Sequence, residues 1–409
     1  MRFAAVIVVL LALAAPARAD EGNERPSLLE SENLSGDWNG WRQRLEEGGI
    51  RPYLVYTGSM WSNVSGGIRT GTEFDGYLDT GFGLDLGKMG AWSGLGMQMS
   101  LHWFQGRQPT MVLVGANVAQ AVNPWEASNA IRVFDLYLSQ KFGTVAEVRV
   151  GQLAVDSDFM LSRYAATMLN AAFGDLPSQN VNLDTPVYPV AGPGLYADGD
   201  LVDDWLEGRL GAYTATAAPD VAGNHGFEWR LGNDAGYAFF AELEATAEPG
   251  GLPGEYTIGG YYASVREPKW DSDGLVYGQW SGWVIVDQAL RVDSEGDPRV
   301  GVFARFSWSP NNGRDVITLY GDAGINVWGV IASRPDDVLG LAGSIGRYSD
   351  AYQRGTQPPS GGAAALELTY QIAATPWLVV QPDLQYIVDP IAADATDATV
   401  IGLEMVVTF

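Results

Sequence analysis

From about residue 50 to its last residue, the chain repeats segments of about ten residues in which every second side chain is apolar. Gly, Pro, Asp and Asn separate these segments. Period-two alternation puts successive side chains on opposite faces of a strand, so the chain is committed to sheets. Leu95, Met97, Met99, Leu101 and Trp103 share one face, while Gly96, Gln98, Ser100 and His102 share the other. Leu366, Leu368, Tyr370 and Ile372 repeat the pattern, as do Ile401, Leu403, Met405, Val407 and Phe409. Counting such segments predicts strands near 50–64, 74–87, 93–104, 129–142, 145–153, 191–199, 202–216 and 235–248. The second half adds 252–266, 278–292, 297–310, 315–329, 336–348, 362–375, 376–389 and 398–409. Arg132 breaks the pattern, because it shares parity with apolar Phe134, Leu136 and Leu138; it marks either the headgroup level or a register shift.

Alternation by itself fits any sheet with one wet face. Two features favour apolar residues outside and polar residues inside. The polar face is rich in Gly, Gln, Asn and Tyr with acids and arginines mixed, as suits a water-filled lumen. Aromatics such as Trp103, Trp308, Trp377 and Phe409 fall near strand ends, where an interfacial girdle places them. The expected fold is therefore all-β, a 16-stranded antiparallel transmembrane outer-membrane β-barrel. A closed barrel pairs every backbone group, which lipid requires.

The first residues read as an export signal. Arg2 supplies a positive start, Phe3 to Ala15 an apolar stretch, and Ala17-Arg18-Ala19 a small-x-small cleavage box. The expected organisation is a signal peptide at 1–19, an N-terminal segment at 20–49 and a barrel at 50–409. Within 35–49, Asp37 is placed to cap a short helix whose Trp38, Trp41 and Leu45 share a face, with Gly48 ending it in the left-handed region. Residues 154–190 have little strand periodicity and are expected to fold into the lumen as a constriction loop. The chain ends in Phe409 after apolar residues at every second position, the form that barrel-assembly machinery recognises.

Composition excludes much else. With 49 Asp or Glu against 24 Lys or Arg, the formal charge is −25, which argues against nucleic-acid binding. No Cys and two His leave little for metal, thiol or triad chemistry. No catalytic, metal or cofactor residues are expected, and the chain is read as no enzyme.

Specific stretches resemble a known family. Gly36-Asp37-Trp38 with Gly40, Arg42, Leu45, Gly49 and Ile50 is similar to the opening motif of the OprB-type carbohydrate-selective porins. Gly151-Gln152-Leu153 with Asp158-Phe159, and Asp287-Gln288, add to the likeness. So do Thr375-Pro376-Trp377, Gln381-Pro382-Asp383-Leu384-Gln385-Tyr386-Ile387, Pro390 and Gly402-Leu403. Gln152 departs from the pattern, standing where many members carry Arg. The resemblance spans roughly 31–409. It implies passive, carbohydrate-selective diffusion of mono- and oligosaccharides across the outer membrane, in contact with its lipid. A general small-solute porin is the alternative, and monomer and homotrimer both stay open.

Strand parity supplies the candidate lumen residues. Glu147 and Arg149 oppose outward Val148 and Val150; Glu207 and Arg209 oppose Leu206 and Leu210. Arg305, Glu242 and Trp61 complete the substrate-binding candidates, with Asp79, Asp322 and Glu367 also inward. Guanidinium groups donate to sugar hydroxyls, carboxylates accept from them, and aromatic rings stack on sugar C–H faces.

Overall fold

The computed structural model describes residues 27–409 except 117–119, 204, 311–312, 359 and 393, so the signal peptide lies outside the described residues. Sixteen antiparallel strands close into one barrel, each paired with its sequence neighbours and the last with the first. They are β1 (Ile50–Gly67), β2 (Gly71–Asp85), β3 (Leu95–Gly106), β4 (Ile131–Phe142), β5 (Ala146–Leu153), β6 (Gly192–Val202), β7 (Leu206–Thr214) and β8 (Tyr237–Ala247). The remainder are β9 (Gly254–Pro268), β10 (Leu275–Val292), β11 (Pro298–Trp308), β12 (Ile317–Trp328), β13 (Val338–Tyr348), β14 (Gly362–Thr375), β15 (Leu378–Val388) and β16 (Thr396–Thr408). Every predicted segment contains one of them, with ends shifted by a few residues.

The alternation turns outward as expected. Leu210, Ile258 and Ile345 are 63%, 55% and 67% exposed on the outer wall, a degree of apolar exposure that suits lipid. Tyr262 and Trp280 face outward near one rim, and Phe142 near the other.

The seam is held by register and by one close approach. Trp61 pairs with Gly402, and a Cβ on Gly402 would lie 2.3 Å from the Trp61 ring. Only glycine leaves room for that indole.

Three local expectations change. Between β3 and β4 the register slips from Met99↔Leu136 to Leu101↔Val133, an irregularity that inserts one residue. Phe134 and Arg132 therefore turn inward, and both are buried. Gln152 repairs the slip by donating to the carbonyls of Val133 and Phe134 at 2.8 and 2.7 Å. The N-terminal helix α1 (Trp41–Glu47) has Gly40 at its N-cap, with no side-chain cap. Asp37 instead accepts from the Asn39 N–H, and Gly49 rather than Gly48 takes the positive φ. The helix stays at the barrel end that carries Phe409, where Leu34 N–H bonds Thr408 O.

Two long connections fold inside. Residues 154–191, between β5 and β6, are anchored on inward side chains around much of the wall. Glu242 accepts from Met160 N–H, Glu367 from Leu169 and Asn170 N–H, and Gln381 donates to Thr167 O. The described residues of the 107–130 connection, between β3 and β4, also enter: Gln120 donates to Ala364 O and Val388 O, and Asn123 to Ser59 and Asp75. The two join where Ala171 N–H bonds Ala121 O at 2.8 Å. Alternation did not forecast the second insertion. Its trace in the sequence is Met111-Val112-Leu113-Val114, an apolar run without period two.

Candidate functional site

The inward side chains divide into those sealed under the two inner loops and those left facing the passage. Arg305 belongs to the first group. Its guanidinium pairs with Asp322 at 2.7 Å and donates to Gly174 O and Ala172 O, with both charged side chains almost fully buried. A buried pair of this kind holds only because its remaining donors are satisfied, here by inner-loop carbonyls. Arg305 therefore anchors the 154–191 loop. Glu242 is buried as well, accepting from Met160 N–H and from Trp283 Nε1 at 2.8 and 2.7 Å. Trp61 is 0% exposed, packed among Leu113, Ala365, Ile387 and Val400 beneath the 107–130 loop.

Glu147, Arg149, Glu207 and Arg209 come together on neighbouring strands. Arg149 lies opposite Tyr196 of β6, and Asp198 of β6 lies between Glu147 and Arg209. Parity causes this: the pairing of β5 to β8 sets Glu147, Asp198, Arg209 and Glu242 in one lateral row, with Arg149 in the row on one side of it and Glu207 and Glu244 in the row on the other. Arg149 Nε reaches Glu147 at 3.2 Å, and its Nη1 reaches Asp158 of the inner loop at 2.7 Å. Its guanidinium lies 4.5 Å from the Tyr196 ring centroid and 5.7 Å from that of Tyr137. Arg209 Nε donates to Glu207 at 2.7 Å, while its Nη1 donates to Glu244 at 3.0 Å and to Glu242 at 3.5 Å. Among the described residues, neither Nη2 has a protein partner.

The row continues beyond the candidates named from sequence. Arg163 of the inner loop stands 3.9 Å from Glu255 of β9 and is half exposed. Tyr137, Tyr196, Asp198, Glu244 and Glu255 were legible by the same parity that marked Arg149. Arg163 was not, because a loop has no period.

Chemically, the arc offers two free guanidinium edges, several carboxylate acceptors and the partly buried Tyr137 ring, while Tyr196, 3% exposed, backs the Arg149 guanidinium. It can exchange hydrogen bonds with a polyol while holding it weakly, because water competes for each group. Several residues quoted for the family resemblance hold the loops that shape this arc. Asp158 pairs with Arg149, Asp287 accepts from Ser162, Arg163 and Tyr164, and Gln385 donates to Val122 O.

A family model described as "Carbohydrate-selective porin, OprB family" matches residues 70–409. The chain is 26% identical to Porin B of Pseudomonas aeruginosa, over 92% of this chain and 91% of that one. It is 23% identical to the putative porin QuiX of Acinetobacter baylyi, over 92% and 93% of the two chains. The high-pH structure of Pseudomonas putida OprB superposes with a TM-score of 0.85 at 23% identity, covering 94% of this chain and 100% of that one.

Proposed function

This chain belongs to the carbohydrate-selective porin, OprB family, and from that membership we propose that sugars cross it along the Arg149–Arg209 arc. The carrying observation is the Arg149 guanidinium, oriented by Glu147 and Asp158 and laid beside Tyr196, with its Nη2 left for a solute. A sugar passing there meets donor and acceptor together, with the partly buried Tyr137 ring beside them. A general porin needs only opposed charges, so the carbohydrate reading rests on the family, with Tyr137 as the one partly open ring beside Arg149. Diffusion is passive, and release follows from the modest strength of each contact.

The wider setting is part of the same reading. The barrel stands in the outer membrane with its apolar exterior against lipid, delivered there after cleavage of the 1–19 signal. Its assembly machinery engages the strand ending in Phe409. The family and fold are those of a channel, and the chain works without catalysis.

Liposome swelling with sugars, amino acids and organic acids tests the class of solute. Single-channel recordings with sugar block test the site: Arg149→Ala and Arg209→Ala should each widen the pore and weaken block. Charged hydrogen bonds contribute about 1.5–3 kcal/mol each, so the loss is measurable even with water as partial substitute. Unaltered block in both variants would remove the arc from the sugar path.

A further inference from the structure

We infer, building on the carbohydrate-porin reading, that the lumen also sorts sugars by charge, admitting neutral and cationic sugars and turning back sugar acids and phosphates. The physical ground is how the arginines of the passage are occupied. Arg209 is bonded to Glu207, Glu242 and Glu244 at once, and Arg149 to Glu147 and Asp158. Each guanidinium is therefore outnumbered by the carboxylates that hold it. What reaches a solute is one Nη2 edge from each, set in a field of the opposite sign.

The surplus extends around the open wall. Asp198 sits in register with both Glu147 and Arg209. Arg163 meets Glu255 at 3.9 Å. On the adjoining strands, Asp79 of β2 accepts from the Tyr53 hydroxyl at 3.1 Å, and Asp135 of β4 faces Ser100. Arg51 at the start of β1 and Lys141 of β4, in register with Glu147, add two inward cations that do not cancel this surplus. The strongest remaining lumen cation, Arg305, is sealed and neutralised by Asp322, so it cannot offset the balance.

Two consequences separate this wall from a row of opposed charges. An anionic sugar would have to displace a carboxylate from an arginine that is already bonded, leaving that carboxylate unpaired in the lumen. An ammonium-bearing sugar instead gains the carboxylate edges that the arginines leave free. Neutral sugars lose nothing, since their hydroxyls donate to acids as readily as they accept from Nη2. Like-charge repulsion of this kind is a usual means of specificity in channels.

The test uses the mature porin in planar bilayers and liposomes. Reversal potentials in a KCl gradient at low salt should show cation selectivity. Glucosamine flux should exceed glucuronate flux by about thirtyfold, because one wall charge at contact distance in bulk water raises the first and lowers the second by about fivefold each. The ratio should fall toward one in 1 M salt, where screening acts over about 3 Å. It should fall likewise in a Glu207→Gln/Glu244→Gln variant that still migrates as a folded barrel. Anion selectivity, or equal flux of the two charged sugars in the unaltered protein at low salt, would overturn the inference. Glucose flux no faster than that of uncharged solutes of similar size is a separate result, and it would strike the carbohydrate reading itself.

Discussion

Arg42 Nη2 donates to the carbonyl oxygen of Phe409 at 3.0 Å, joining two residues 367 positions apart. The same guanidinium lies 4.3 Å from the Trp38 ring centroid, and its Nε donates to Gly36 O. Leu34 N–H bonds Thr408 O, and Trp377 Nε1 bonds Leu28 O. The segment that carries Gly36-Asp37-Trp38 and Arg42 thus latches the end of the closing strand. Arg42→Ala should lower barrel stability by about 1.5 kcal/mol, the low end for a charged hydrogen bond because the group is partly exposed. The urea midpoint for loss of the compact band on unheated gels measures this. An unchanged midpoint would show that the latch holds no free energy.

The role in delivery proposed for Phe409 is separable from this latch. Its deletion, or replacement by a charged residue, should slow insertion and leave periplasmic material open to proteases. Arg42→Ala should insert at the ordinary rate. Pulse-chase fractionation of the two variants separates the roles, and normal insertion without Phe409 would refute its part as a targeting signal.

Met99 and Gln98 offer a direct test of which face meets lipid, since the chain has no cysteine of its own. Met99 lies on the outward row of β3, and Gln98 on the inward row. Cysteine at 99 should react with a lipid-phase reagent, and cysteine at 98 with an aqueous one. Equal aqueous labelling of both would contradict the barrel.

Asp287 holds the inner loop from below, accepting from the Ser162 hydroxyl at 2.8 Å and from the Arg163 and Tyr164 N–H groups at 3.2 Å. Asp287→Ala removes bonds of about 1.5–3 kcal/mol each. The loop should loosen, raising single-channel conductance and its noise, with Asp287→Asn intermediate. Conductance identical to the parent would mean that the loop is held adequately elsewhere.

Glu126 makes the 107–130 loop sensitive to pH. Burial pushes its pKa from 4.5 up to about 8, although the Thr110 hydroxyl and N–H donate to it at 2.6 and 2.9 Å. The folded loop therefore keeps a proton that the unfolded chain has released. Its stability is fullest below the ordinary value of 4.5, declines as pH rises, and is lowest above about 8. Hydrogen-exchange protection from 110 to 126, taken relative to the intrinsic base-catalysed rate, should fall between about pH 5 and about pH 9, following the linkage slope. Glu126→Gln should flatten that profile. A profile equally steep in the variant would assign the pH response to another group.

Strand number, the antiparallel barrel and the direction of most faces were legible in the sequence. Period-two alternation is local: a side chain and its second neighbour must share a face, whatever the rest of the chain does. Hence Arg149, Glu147, Arg209 and Glu207 were inward by parity, and pairing aligned them. What parity could not say is which inward groups stay open. Arg305 and Glu242 have the same inward pattern as Arg149, yet they lie sealed beneath backbone more than 80 positions away, from Met160 to Gly174. Trp61 disappears under a loop that begins past β3. Even Arg132 changed face because its own strand carries one extra residue against β3. These outcomes depend on where two aperiodic loops come to rest in a closed cylinder. That is set by hydrogen bonds between residues far apart in the chain, and only the folded barrel brings them within reach.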